Sequence, residues 1–466
     1  MFRTLLCIST LAVVVATCPA DQAITSEETV IRLTVQPMPA PKPALRYLLL
    51  PELKEMNPGN PIQNYLRCFS EQQNFFFNKE ACDRRDKLLV MPLKDLPAQE
   101  LLDYGRSALR QADWAARLDK PDWEILLKLK TDGIGLLLPD VQQMRALANA
   151  LKVRFRGEVA SRRFADAIRT AKTMFALSRH MGEHPTLIGD LVAIAIATIT
   201  IGPLEEMLQQ PGSPNLYWAL TNLPNPMISI ENGLQGERVL VRGEFHDLDD
   251  TAPMTEEQIK KLIAHIDKIR EVGPQKSGLR KEETTRAWLD ARVKEETLVR
   301  AARQRLIAEA RLPEELVKRF PVDQVILLDE WRELEVCRDE IMKLANLPTW
   351  QAEALGLDQK PPKDKTLLAH LLVPGLVKVR RAQGRLEQRI ALLRHVEALR
   401  LYAADHDGRL PETLADISVP LPVDPFTSKP FRYELREGIA HLRGNPPAGG
   451  EKQPGFNIHY VITVQK

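Results

Sequence analysis

Apolar residues recur at three- and four-residue spacing through most of this chain, the period of a helix that buries one face. Gln99–Leu118, Val141–Phe155, Phe164–His180 and Leu187–Gln209 each carry the pattern. Leu191–Leu204 contains no charged residue, yet a bilayer span needs about 20 apolar residues, so this stretch predicts a buried core helix. Further on, Thr255 stands as a helix cap with Gln258 three residues later, and Ile259, Leu262, Ile263, Ile266 and Ile269 form one face. Lys281–Ala310 is highly charged with a thin stripe of Trp288, Ala291, Leu298, Ala302 and Leu306, which predicts a helix packed by one side. Pro321–Asn346 and Thr366–Asp405 predict further long helices.

Alternation replaces this period at both ends. "TVIRLTVQP" reads as a strand near the start, and "FRYEL", "IAHLRG" and "NIHYVITV" read as short strands near the end. The fold class expected is mainly α: packed helical hairpins, then a long helix and a small antiparallel sheet. The organisation expected is a signal peptide over 1–20, an extended, strand-containing segment over 21–97 and a helical domain over 98–243. A charged helical region over 244–365 and the helix-plus-sheet module over 366–466 complete it. "EFHDLDDTAP" from Glu244 reads as a polar loop between helical parts.

Composition narrows the function classes. With 64 basic and 62 acidic residues among 466, nothing in the charge balance points to nucleic acid or an anionic membrane surface. Arg3 followed by "LLCISTLAVVVATC" and the small residues of "ATCPA" predicts an export signal cleaved after Ala20, and no transmembrane helix once it is removed. The destination would be the periplasm, the cell envelope or the outside of the cell. Cys18 after "VAT" also fits, less well, the acylated cysteine of a lipoprotein, which would anchor the chain to a membrane. Of five cysteines, Cys68, Cys82 and Cys337 would remain. Cys68 and Cys82 are open to two readings, a disulfide or two isolated thiols. Cys337 falls on a helical pattern and reads as core.

Few residues suggest chemistry. "HMGEH", His180 to His184, matches the H-x-x-E-H pattern of inverted zinc peptidases, in which two histidines share a helix face and a glutamate activates the bound water. Gly182 within the motif and Pro185 after it disfavour helical geometry at His184. His180, Glu183 and His184 are therefore weak metal candidates, and a helix end carrying histidines is the preferred reading. In "GSPNLYWALTNLP", Ser213 reads as a cap and Pro214 as the first helical residue, with Tyr217, Trp218 and Leu220 as core. "HDLDD", His246 to Asp250, lacks the glycine and final glutamate of a calcium loop. Nucleophile elbow, phosphate loop, dinucleotide fingerprint and C-x-x-C motifs do not occur, so no cofactor and no catalytic residue is assigned.

The segment from Leu371 to Tyr433 runs from "HLLVPGL" through "LRLYAADHDGRLPETL" to "PVDPFTSKPFRYE". Leu401, Tyr402, Asp405, Gly408, Pro411, Pro422, Asp424, Pro425, Phe431 and Tyr433 follow a layout that resembles the major pseudopilin of type II secretion. The resemblance implies a long helix ending at Gly408 and a small sheet anchored by the "DPF" turn. The pseudopilin processing site is missing, the apolar run Leu367–Val377 is short and holds His370, and "LRGNPP" stands where the calcium loop would be. "RRFADAIRTAKTMFALSRHMGEHP" resembles a single tetratricopeptide-type hairpin without a second copy, a pair of antiparallel helices. "EHPTLIGDLVAIAIA" and "PNLYWALTNLP" resemble recurring stretches of a group of exported, helix-rich bacterial proteins without an assigned activity. The function expected is that of an exported envelope or periplasmic protein with a protein partner and no enzymatic activity. An extracytoplasmic hydrolase built on "HMGEH" and a secretion-system accessory component are the alternatives.

Overall fold

The computed structural model describes residues 22–24, 28–248, 252–272, 284–357, 367–368 and 374–465. The export signal, Cys18, Asp249, Asp250, Lys281 and His370 lie outside these residues. The described chain is mainly helical, with seventeen α-helices and one small mixed sheet.

Strands β1 (Gln22–Ile24) and β2 (Thr29–Val35) come first. Short helices follow: α1 (Pro61–Glu71), α2 (Gln73–Phe77), α3 (Lys79–Val90), α4 (Arg110–Ala115) and α5 (Leu126–Thr131). The helix expected over Gln99–Leu118 is mostly a run of turns, with helical hydrogen bonding confined to α4. Gly105 has φ +65, a left-handed conformation that an α-helix cannot continue through.

The centre of the molecule is the trio α6 (Pro139–Ala160), α7 (Phe164–Met181) and α8 (Leu187–Leu208). "RRFADAIRTAKTMFALSRHMGEHP" forms one helix, α7, and not a hairpin by itself; its partner is the preceding α6. Thr186 caps α8 by accepting a hydrogen bond from Gly189 N at 3.1 Å. α8 is apolar all round, and such a helix must be enclosed on every side. By length and composition it is the one described helix able to cross a membrane, with a mean hydropathy of 2.0, yet 72% of that stretch is buried inside the protein. Its own Ile196 and Ile201 are fully buried, as are Met174 and Phe175 of α7.

α9 (Tyr217–Thr221) and α10 (Glu231–Glu244) lead out of this core. The Ser213 cap is not what forms. α9 starts at Tyr217, whose N–H is held by Asn215 Oδ1 at 3.0 Å, while Ser213 Oγ donates to Leu208 O and accepts from Arg400. Pro214 has no N–H to give, so the helix begins later, where Asn215 can act as the acceptor.

A second core holds α11 (Glu256–Val272), α12 (Thr285–Val293), α13 (Glu296–Ala308), α14 (Glu314–Arg319) and α15 (Val322–Met342). Thr255 and Gln258 form the expected cap, and Ile259, Leu262, Ile263, Ile266 and Ile269 are all buried. The long helix expected up to Ala310 divides at Lys294 and Glu295 into α12 and α13. The break lets Trp288 and Leu289 on one side, and Ala302 and Leu306 on the other, both reach the core built on α15. Ala291 is exposed.

After α16 (Thr349–Ala354), the long α17 (Pro374–Asp405) returns to pack against α8. It stops at a left-handed pair, Asp407 with φ 54 and Gly408 with φ +80, and Gly408 N closes on Ala403 O at 2.8 Å. The strands β3 (Arg432–Arg436), β4 (Ile439–Arg443) and β5 (Ile458–Val464) follow. Sheet order is β1-β2-β5-β4-β3. β2 runs parallel to β5 from Thr29 opposite Ile458 to Val35 opposite Val464, so the first long strand of the chain completes a sheet made by the last. Ile31, Leu33, Leu442, Tyr460 and Ile462 form its buried face. Cys68, Cys82 and Cys337 are free thiols, with Cys68 buried.

Candidate functional site

"HMGEH" lies where α7 ends. Gly182 N still bonds Ser178 O at 3.0 Å, but His184 N bonds only Met181 O, and the chain turns at Pro185. The two imidazoles consequently face different neighbours. His180 Nδ1 lies 3.0 Å from the Tyr65 hydroxyl, and its carbonyl accepts from the Trp123 indole at 3.1 Å. His184 is buried, edge-on to the same Trp123 ring at 4.8 Å. Its Nδ1 meets Thr186 Oγ1 at 2.9 Å. Because Thr186 Oγ1 accepts from Gly189 N, its own hydrogen is available to donate to that nitrogen. Burial lowers both histidines to about 4, so both are neutral at pH 7. Glu183 is exposed and accepts from Asn232 Nδ2 at 2.8 Å. Among the described residues no group of three or more His, Cys, Asp and Glu side chains is placed to hold a metal ion.

Two acids that the motif does not contain lie against the same turn. Asp190, in the first turn of α8, is fully buried, and neither carboxyl oxygen has a hydrogen-bond partner. Burial, then the neighbouring Glu237 and Glu183, push its carboxyl well above the usual carboxylate range. Burial likewise pushes Glu237 on α10 up to about 7. α10 comes this close through "NGLQG". A Cβ on Gly233 would sit 1.9 Å from Asp190 Oδ2, and one on Gly236 would sit 1.9 Å from the Pro185 carbonyl. The turn is thus a packed seam: two neutral imidazoles and a carboxyl whose charged form burial disfavours, enclosed between α7, α8 and α10.

Three buried arginines are answered by carboxylate partners. Arg156 is fully buried; its Nε reaches Glu206 at 2.8 Å and its Nη1 donates to Leu88 O at 2.6 Å. Arg389 of α17 makes a two-point contact with Glu205 at 2.8 and 2.9 Å, and Tyr460 of β5 donates to the same carboxylate. Arg400 pairs with Glu397 at 2.9 Å and donates to Ser213 O at 2.8 Å. Glu205 and Glu206 thereby tie α8 to the long helix, the sheet and α6.

The "LRLYAADHDG" end of α17 is a helix terminus. His406 stacks on Tyr402 with ring centroids 3.8 Å apart, and Asp405, His406 and Asp407 are exposed. Asp424 of "DPF" is buried and accepts from Phe426 N, Gln388 Nε2 and Asn445 N at 2.7–2.9 Å. It holds the turn that starts the sheet.

A further titratable cluster stands on the sheet's outer face. His441 Nδ1 of β4 is 3.0 Å from His459 Nε2 of β5, and His459 Nδ1 is 3.3 Å from Glu28. The alternation that predicts these strands puts each histidine on a face, but which strands adjoin depends on sheet order, which no local pattern carries. Comparison with known proteins finds no matching family model, and no curated protein or solved structure of significant similarity.

Proposed function

We propose that this chain is an exported protein of the cell envelope or periplasm that works by binding another protein through its helical exterior, without catalysis. The observation that carries this reading is the commitment of the interior. The buried Arg156, Arg389 and Arg400 are each paired with a buried glutamate, and "HMGEH" is part of a packed seam. The solvated sides of α12, α13 and α14 carry exposed groups of both signs, among them Lys294, Glu296, Arg300, Glu314 and Arg319. A partner whose face carries complementary charges suits them. Export rests on the N-terminal pattern of Arg3, the apolar run and "ATCPA". The test is cross-linking of the full chain in intact cells. One protein recovered reproducibly, and lost with Lys294→Glu/Arg300→Glu, is the expected result; no specific partner under several cross-linkers would count against it.

A second reading has one observation in its favour. Gly408 ends the long helix and Asp424 organises the turn into the sheet, the roles that the pseudopilin resemblance implies for them. The chain would then be an accessory component of a secretion system. A deletion strain that secretes normally would end this reading.

A further inference from the structure

His441 and His459 occupy adjacent antiparallel strands, with Arg443 opposite His459 and Val461 opposite His441. They are diagonal neighbours on one face, a relation in which long side chains meet. Their facing nitrogens, Nδ1 of His441 and Nε2 of His459, are 3.0 Å apart. Behind His459, Glu28 Oε2 lies 3.3 Å from Nδ1, and Arg443 Nε lies 3.7 Å from the other oxygen of that carboxylate. Nδ1 has no aligned hydrogen-bond acceptor, so Glu28 acts on it through its charge, favouring a proton on Nδ1 and leaving the Nε2 lone pair toward His441. We propose that His441 and His459 form a binding site for a late divalent transition ion, Cu2+ foremost, with Glu28 as the carboxylate that orients His459.

The donor type and the intrinsic affinity order set the class of ion. Two imidazole nitrogens each about 2.0–2.1 Å from one ion stand about 2.9 Å apart at a right angle and about 3.3 Å apart at the tetrahedral angle. The observed 3.0 Å is the length of the hydrogen bond the two rings now share and is compatible with either angle. Imidazole nitrogens suit Cu2+, Ni2+ and Zn2+ alike, and the intrinsic affinity order for nitrogen ligands puts Cu2+ first. Without metal the same two nitrogens share one hydrogen. Binding moves the His441 proton from Nδ1 to Nε2, so both lone pairs face the ion and the neutral pair loses no proton overall. A carboxylate behind a ligating histidine is the usual way its ring is fixed. The two strands are fixed by Ala440 and Leu442, fully buried opposite Ile462 and Tyr460, so the site is built on a rigid element.

Charge around the pair sets what completes the coordination. From β3 come Glu434, opposite His441, and Arg436, from β4 Arg443, and from β2 Arg32 on the same face, with Glu28 3.3 Å from His459. The protein supplies two nitrogens, and the remaining positions are left to water or to a small anion, which the arginines favour.

The test uses the full, untagged chain with CuCl2, NiCl2 and ZnCl2 in calorimetric titration, beside electron paramagnetic resonance of the Cu2+ form. The expected result is one Cu2+ per chain with two-nitrogen hyperfine structure, weaker Ni2+ and Zn2+ binding, and loss of the site in His441→Ala and in His459→Ala. Glu28→Gln should bind about 10-fold or more weakly with the same spectrum, because it alters only the orientation of a ligand. Circular dichroism of the metal-free variants checks their fold. If an alanine variant does not fold, the wild-type spectrum and Glu28→Gln still decide. Stoichiometric Cu2+ absent from the wild type, a spectrum without two imidazole nitrogens, or binding unchanged in both alanine variants would overturn the proposal.

Discussion

Arg156 is held in a cage of acceptors: Glu206 on one side and the carbonyls of Leu88, Leu89 and Met91 on the other. A buried charge with this many partners is costly to remove on one side only, because Glu206 would be left charged and dry. Arg156→Met should lower stability by about 3–5 kcal/mol in urea denaturation. The double variant Arg156→Met/Glu206→Met should recover most of that loss. Asp190 makes the opposite case. Its carboxyl has no hydrogen-bond partner and burial disfavours its charged form, so Asp190→Asn should raise the denaturation midpoint more at high pH than at low pH. At this scale "HMGEH" was legible as a helix end, since Gly182 and Pro185 mark it. Asp190 and Glu237 were not, because nothing local in "LIGDL" or "LQGER" says that those acids face one another across two helices.

The contact of α8 with α10 rests on glycines. Gly236→Ala would place a methyl 1.9 Å from the Pro185 carbonyl, which is backbone and cannot swing aside. It should destabilise by about 1–3 kcal/mol. Gly375→Ala on α17 is the control, since nothing lies within 4 Å of its Cβ position, and it should be neutral or slightly stabilising in thermal melts. The well-separated helices were legible from periodicity: α6, α7, α8, α11 and α15 lie where their apolar faces predict. The division of the charged stretch into α12 and α13 was not. Its stripe from Trp288 to Leu306 is continuous in sequence, and the break follows from the demand that both halves reach α15.

In the whole molecule, pH acts through two sets of buried groups with opposite signs. Burial raises Glu158 and Glu237 to about 7 and Glu330 to about 8. Each favours folding in its protonated form, so its contribution is full below the ordinary carboxylate value and is lost as pH rises through the raised one. His180, His184 and His395, lowered to about 4, contribute above 6.5 and lose that contribution as pH falls toward 4. Between about 4.5 and 6.5 the two sets offset one another. Above 6.5 the acids act alone, so stability should fall by roughly 2–4 kcal/mol between pH 6.5 and 8.5, measured by denaturant titration in a buffer series. The sheet also belongs to this scale. The strands were legible from alternation, but the parallel pairing of β2 with β5 joins residues more than four hundred positions apart, a contact that tertiary packing alone creates.

The histidines of "HMGEH" are interior, neutral parts of a packed seam. Nitrogen NMR of the full chain, labelled at histidine, tests this most directly. His180 and His184 should remain neutral to below pH 5 and should not shift when Zn2+ is added. Titration of either ring near 6.5, or a shared shift of both on zinc addition, would contradict it.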